Sequence, residues 1–302
     1  MFQDKFPIPV VLFTFNRPQL VSMQIEILKK VKPCKIFFVS DAARNGREEE
    51  KKLVLQTRQL IDRVDWDCEI NRYFAERNMG CDSIIVSALN DIFSKVDKAI
   101  ILEDDCIPCI SFFTFCMEML DRYVNNSEIM YVSGTKWVPQ YSMRYSYGFS
   151  YNTGTWGWAT WKRAWKEWHW DIREWEEKKN DWLSGVYSNR YRKHWIKDME
   201  SYICTGNIPW DYVWRFCVGR RLSIFPAVNL ISNMGFGEEA THTKEEEYGY
   251  SSKTGEIHTI VHPPAIKEDL KYPCAVEKEF KVPLWYRIRR KLRKMGSTDK
   301  NS

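Results

Sequence analysis

Residues 99–110 read AIILEDDCIPCI, an apolar run that stops on three adjacent carboxylates, Glu103, Asp104 and Asp105. Neighbouring carboxylates repel one another, so such a triplet is favourable only where something positive or hydrogen-bonding offsets the charge. A hard divalent cation does so. Mg2+ or Mn2+ is commonly held by one or two protein carboxylates and completed by the phosphates of a substrate. The triplet therefore points to a diphosphate ligand, whose negative charge on departure the cation would stabilise. If the chain stays extended through the triplet, Glu103 and Asp105 face one site and Asp104 faces away or toward a flanking pocket. The competing reading is an acidic surface turn; the apolar strand directly before it favours a site.

The elements that must position these groups are legible upstream. PVVLFTF (9–15) reads as a strand, and Pro18 opens a helix with Leu20, Met23, Ile27 and Val31 near helical spacing. The pattern repeats with KIFFVSD (35–41) before a charged helix around 47–63, and with CEINRYFAE (68–76) before GCDSIIVSALNDIFSKV. In that last helix Ile84, Ile85, Ala88, Leu89, Ile92, Phe93 and Val96 form one apolar stripe, and KAIILEDD (98–105) is the fourth strand. Alternating strands and helices predict an α/β fold with a mostly parallel central sheet flanked by helices. Ligands of such sheets bind at the carboxyl ends of the strands. Those ends carry Asn16 and Arg17, then Asp41 with Gly46 behind it, then Arg77, Asn78 and Gly80, then the triplet. Loops are polar in any protein, but four polar ends would converge on one place.

Composition sets the outer limits. The 302 residues include 44% hydrophobic and 15% aromatic residues, enough for a full core and too apolar for a disordered chain. No stretch approaches the ~20 apolar residues of a membrane span. The N-terminal run FPIPVVLFTF, with two prolines and Asn16-Arg17 behind it, reads as a first strand instead of a signal peptide, so a cytoplasmic location is expected. Nine Cys without a regular framework suit reduced thiols. A net charge of +5, mixed along most of the chain, gives no sign of a nucleic-acid partner.

FTFNRP (13–18), FFVSDAARNG (37–46), the helix after NMG (78–80) and IILEDDCIP together resemble the nucleotide-sugar-dependent glycosyltransferases of the GT-A fold, with Glu103-Asp104-Asp105 as their DxD-type motif. GTWGWATWKRAW (154–165), PWDYVW (209–214) and NMGFGEEATHT (233–243) look like the bacterial family-two-type transferases of surface polysaccharides. The motif order is also similar to that of N-acetylglucosaminyltransferase I. The resemblance covers about residues 7–245 and is specific for fold and reaction class, not for the sugar. It implies a metal-dependent, inverting transferase taking a nucleotide-sugar donor, with UDP as the nucleotide, and a saccharide or lipid-linked acceptor. It also implies residue roles: Asp105 as direct metal ligand, Glu103 and Asp104 assisting metal or donor, Arg17, Asp41 and Asn78 on the nucleotide, and Asp211 as the base. On residue type alone Asp211 fits a helix N-cap equally well.

Eleven of the 14 Trp lie between Trp156 and Trp214, where an acceptor would lie, and Trp faces suit the C–H faces of pyranose rings. Trp161, Trp165 and Trp168 have helical spacing and are assigned to the core; Trp156, Trp158 and Trp210, flanked by Gly or Pro, are the candidate acceptor wall. The Gly-rich polar stretch from Asn233 suits a loop that closes over the donor and excludes water, with His242 on a phosphate or in the metal shell. The expected organisation is a transferase domain over 1–260, divided into a nucleotide-sugar half (1–133) and an acceptor half (134–260), with an extension over 261–302. Within that extension, residues 284–295 suit a basic amphipathic helix on an anionic membrane surface, which would make the protein peripheral on the inner face; a solvated tail is the alternative. Two other functions compete. A non-catalytic carbohydrate-binding protein explains the Trp but not the carboxylates. A sugar-nucleotide pyrophosphorylase of related fold requires a Gly-rich loop after the first strand, which is missing here. Cys106 and Cys109, spaced as in a redox motif, read as ordinary thiols, and no paired Cys or His spacing suggests zinc.

Overall fold

The computed structural model describes residues 5–151, 153–183, 189–235 and 253–279. Four parallel strands form the first half of the sheet: β1 (Val10–Thr14), β2 (Lys35–Ser40), β3 (Glu69–Phe74) and β4 (Lys98–Glu103). The second half adds β6 (Ile129–Ser133), β7 (Tyr147–Ser150), β8 (Trp158–Trp161) and β9 (Leu222–Pro226), giving the order β3-β2-β1-β4-β8-β6-β9-β7. Two of the eight strands run against the rest, β8 between β4 and β6 and β7 at the edge beside β9. This is the α/β architecture with a mostly parallel, helix-flanked sheet that the alternation of apolar runs predicts. The separate pair β5 (Cys106–Pro108) and β10 (Ile231–Asn233) is antiparallel.

β1 is buried along its whole length, as a strand with neighbours on both edges and helices on both faces must be. From β1 the chain passes outward to β2 and β3, then returns across the sheet to β4 on the other side of β1. The reversal opens a crevice at the carboxyl ends of β1 and β4. Helix α1 (Pro18–Val31) begins on Pro18, which lacks only a donor that the first turn cannot use, and ends on Lys32 in a left-handed conformation whose N–H reaches Leu28 O. It packs with α2 (Glu48–Gln59) and α4 (Ile110–Arg122), while α3 (Cys81–Lys95) packs with α5 (Lys162–Trp165) and α8 (Trp210–Val218). The predicted charged helix ends earlier than its pattern, passing at Leu60 into a 3₁₀ turn to Arg63.

One apolar core runs through both halves of the sheet, from Val10 and Phe38 to Trp158, Trp161, Trp165 and Trp214. Trp161 closes β8, so the spacing of Trp161, Trp165 and Trp168 is helical only in part. α6 (Ile172–Trp182), α7 (Asn189–Thr205) and α8 enclose a second cluster with Trp175, Trp182 and Phe216. α9 (Lys271–Glu279) rests on the outer strands, its Tyr272 ring stacked 3.7 Å from Phe225.

Candidate active site

The crevice is a cavity of about 380 Å³. Phe13, Phe15, Asn16 and Arg17 line it from the end of β1, Asp41 and Arg44 from β2, Asn78, Gly80 and Cys81 from the turn into α3, and Glu103, Asp104 and Asp105 from β4. Trp156, Asn233 and Gly235 close it from the second half. Seven predicted site residues, Arg17, Asp41, Asn78, Glu103, Asp104, Asp105 and Trp156, therefore share one cavity.

The triplet is not extended, as the alternation argument required. β4 ends at Glu103, and Asp104 and Asp105 turn, which brings their carboxylates onto one guanidinium: Arg17 donates from one nitrogen to Asp104 Oδ1 and Asp105 Oδ2, both at 2.8 Å. Asp104 also accepts from Phe15 N (3.1 Å) and is buried, so it faces inward to hold the end of β1. Burial pushes Asp104 up to about 6 against the pull of Arg17. Burial opposes the Arg17 charge in turn, but Asp104 and Asp105 outweigh it and hold its pKa above the usual value. From α1, Gln24 donates to Glu103 O and Cys106 O, bracketing the turn.

Glu103 is different. Its carboxylate has no hydrogen-bond or ion-pair partner among the described residues, and burial, then Asp105, Asp104 and Asp211, drive its pKa well above the usual range. A carboxylate held among three others with one guanidinium between them leaves excess negative charge that a cation would neutralise. Among the described residues no group of three or more His, Cys, Asp or Glu is placed to hold a metal ion.

Asp41 is buried at the end of β2 and its carboxylate is already occupied. It accepts from Ala42 N (2.8 Å), Met79 N (2.9 Å), Gly80 N (2.9 Å) and Asn78 Nδ2 (3.1 Å). It thus builds the wall turn before α3, where Gly80 takes a φ of +80° that side chains rarely adopt. Asn78 gives its amide to Asp41 and to Ala42 O (2.7 Å). Arg44, which sequence reasoning passed over inside FFVSDAARNG, has its guanidinium near the Phe15 ring and pairs with Glu50.

Two of the three candidate acceptor tryptophans are core. Trp158 is 1% exposed and stacks on Trp210, 6% exposed, at 5.6 Å. Gly157 beside Trp158 does not open a wall: at φ +57° it makes room for Ile231, whose side chain lies within 2.4 Å of where a Cβ would be. Trp156 remains on the cavity and meets Trp137 edge to face at 4.7 Å. Asp211 lies in the first turn of α8 and is not the N-cap, a position held by Pro209. It does not line the cavity, but its charge reaches Glu103, and burial raises its pKa against the opposing Arg215. Cys106 is a buried free thiol, pushed well up by burial and by Asp105, the opposite of the lowered pKa that a reactive redox thiol has. His242 and residues 284–295 lie outside the described residues. Among the described residues no helix is long and apolar enough to cross a membrane.

Asn233 and Gly235, within the quoted NMGFGEEATHT motif, reach the triplet because β10 pairs with β5 directly after it. Met234 N donates to Asp105 O (2.8 Å), and a Cβ on Gly235 would fall 2.2 Å from Asp105 Oδ2. No family model matches the chain, and no curated protein matches it. Among solved structures it is similar to a UDP-glucose pyrophosphorylase complexed with UDP-glucose (10% identity, TM-score 0.37, covering 72% of this chain and 90% of that one). It is also similar to an inositol-1-phosphate CTP transferase from T. maritima (11%, 0.35, 74% and 86%). A third similar structure is 4-diphosphocytidyl-2C-methyl-D-erythritol synthase from Anaerococcus prevotii DSM 20548 (11%, 0.31, 53% and 73%).

Proposed function

We propose that this chain is a cation-dependent, inverting glycosyltransferase that moves a sugar from a nucleoside diphosphate, with UDP favoured, to a saccharide or lipid-linked acceptor. The observation that carries the reading is the unpaired Glu103 carboxylate beside Asp105 in a cavity that also holds Arg17. Asp105 and Glu103 would hold Mg2+ or Mn2+, which supplies charge neutralisation of the diphosphate. Arg17, released in part from Asp104 and Asp105 when substrate charge enters, supplies a second positive group. Asp41 and Asn78 act by shaping the nucleotide wall. Trp156 offers an apolar face to the acceptor ring.

In the reaction the acceptor hydroxyl oxygen bonds to the anomeric carbon as the bond from that carbon to the diphosphate oxygen breaks, and the electron pair leaves with the diphosphate. The hydroxyl proton goes to Asp211, whose raised pKa suits a base. The transition state has oxocarbenium character, and a base opposite the leaving group inverts the centre. The nucleotide-sugar half is assigned to 1–133, the acceptor half to 134–260 and the extension, with its membrane-surface segment, to 261–302.

Nucleotidyl transfer, as in a sugar-nucleotide pyrophosphorylase, would use the same phosphate-binding cavity. It is the second reading because Arg17 leads straight into Pro18 and α1, leaving no Gly-rich loop between strand and helix. A panel of nucleotide sugars, assayed for nucleoside diphosphate release with Mn2+ or with chelator, tests the proposal. Release from one donor that needs the cation and is lost in Asp105→Asn supports it; no release from any donor, with folded protein and saccharide acceptors present, overturns it.

A further inference from the structure

Helix α8 begins without a capping side chain of its own. Pro209 holds its N-cap position, and proline offers no side-chain acceptor for the orphan N–H groups of the first turn. The acceptor comes from 128 residues away: Trp210 N donates to Asp82 Oδ1 at 2.8 Å. Asp82 is the second residue of α3, directly after Gly80 and Cys81 of the cavity wall. Tyr212 N and Val213 N donate to Pro209 O, at 3.1 and 3.3 Å. The donors at the start of α8 are thus met by the Pro209 carbonyl and by one carboxylate from α3. The groups facing Asp211 are Arg215 and Tyr212 on its own helix, Asp82 on α3, Glu103 at the end of β4 and Tyr202 on α7.

We infer that Asp82 is a positioning residue: by capping α8 from α3 it ties the start of that helix, and with it Asp211, to the wall of the cavity. The catalytic consequence rests on the reading of Asp211 as the base. A carboxylate here gains twice, from the N–H it accepts and from the positive end of a helix. The cost is a second negative charge beside Asp211, which raises the pKa of that group further. The bond joins the starts of two helices, α3 and α8, that pack against each other.

The test uses the full chain and two variants. In Asp82→Ala, amide hydrogen exchange over residues 210–213 should rise about tenfold or more while β1 and β4 stay protected, and Asp82→Asn, which keeps the acceptor oxygen, should restore protection. With the donor identified by the nucleotide-sugar panel, Asp82→Ala should lower kcat about 10–100-fold with donor KM little changed, and Asp82→Asn should recover most of it. Wild-type protection in Asp82→Ala overturns the cap, and lost protection with unchanged kcat overturns the positioning role. If Asp211→Asn itself leaves kcat unchanged, the base assignment fails, and the exchange result still decides the cap.

Discussion

The two halves of the sheet use their distinctive residues in opposite ways. In the β1–β4 half the distinctive residues are charged, and they gather at strand ends around one cavity. In the half built on β6 to β9 they are tryptophans, and most of them fill the core: Trp158, Trp161, Trp165, Trp175, Trp182, Trp210 and Trp214 are all buried. A charge cannot enter the interior without a partner, so a run of carboxylates after a buried strand has few places to go. An indole is at home both against a sugar and inside a core, so its identity leaves its location open. Only Trp156 of the three candidate wall residues reaches the cavity.

The contrast predicts different failures on the two sides. Trp158→Ala should cost ~3–5 kcal/mol of stability in urea unfolding, as loss of a large core ring does, whereas Trp156→Ala should cost below ~2 kcal/mol and act chiefly on acceptor KM. Equal losses would erase the distinction between core and wall. On the charged side, Asp105→Asn should reduce nucleoside diphosphate release about 10²–10³-fold with the thermal midpoint nearly unchanged, since Asp105 holds no buried element as Asp104 does. Gly235→Ala is a smaller probe of the same carboxylate. Its methyl must displace Asp105, and Mn2+-dependent donor binding, followed by titration calorimetry, should weaken about tenfold.

The smallest effect is in pH. With Asp104 at about 6, above its ordinary 3.8, the folded state binds more protons than the unfolded state between those values. Glu103, also raised, acts in the same direction. The contribution of Asp104 is present at low pH and is lost as pH rises through 6, so it is absent at pH 7. Melting scans without added metal should show Asp104→Asn losing less stability than wild type between pH 4 and pH 7, and Mn2+ at pH 7 should raise the wild-type midpoint.

Much of the first half was legible because local and global signals agree there: apolar strands, a proline at the start of α1, an apolar stripe on α3 and polar residues where strands end. Residue roles were less legible. Asp41 was expected on the nucleotide, but its carboxylate serves four donors of the protein itself, which depends on where residues 78–80 fold back. The turn at Asp104 follows from Arg17, 87 residues away, which no local alternation contains. The second half was harder. β8 and β7 run against the sheet, their strands are four residues long, and their order depends on pairing across the chain. The Gly beside Trp158 suggested an opening and instead admits Ile231.

Product analysis with a responsive donor tests the central claim most directly, with acceptor saccharides and inorganic pyrophosphate supplied together in Mn2+. The account predicts nucleoside diphosphate and a new glycoside of inverted configuration, both absent in Asp105→Asn. Nucleoside triphosphate and sugar 1-phosphate formed from pyrophosphate would contradict it and assign the cavity to nucleotidyl transfer.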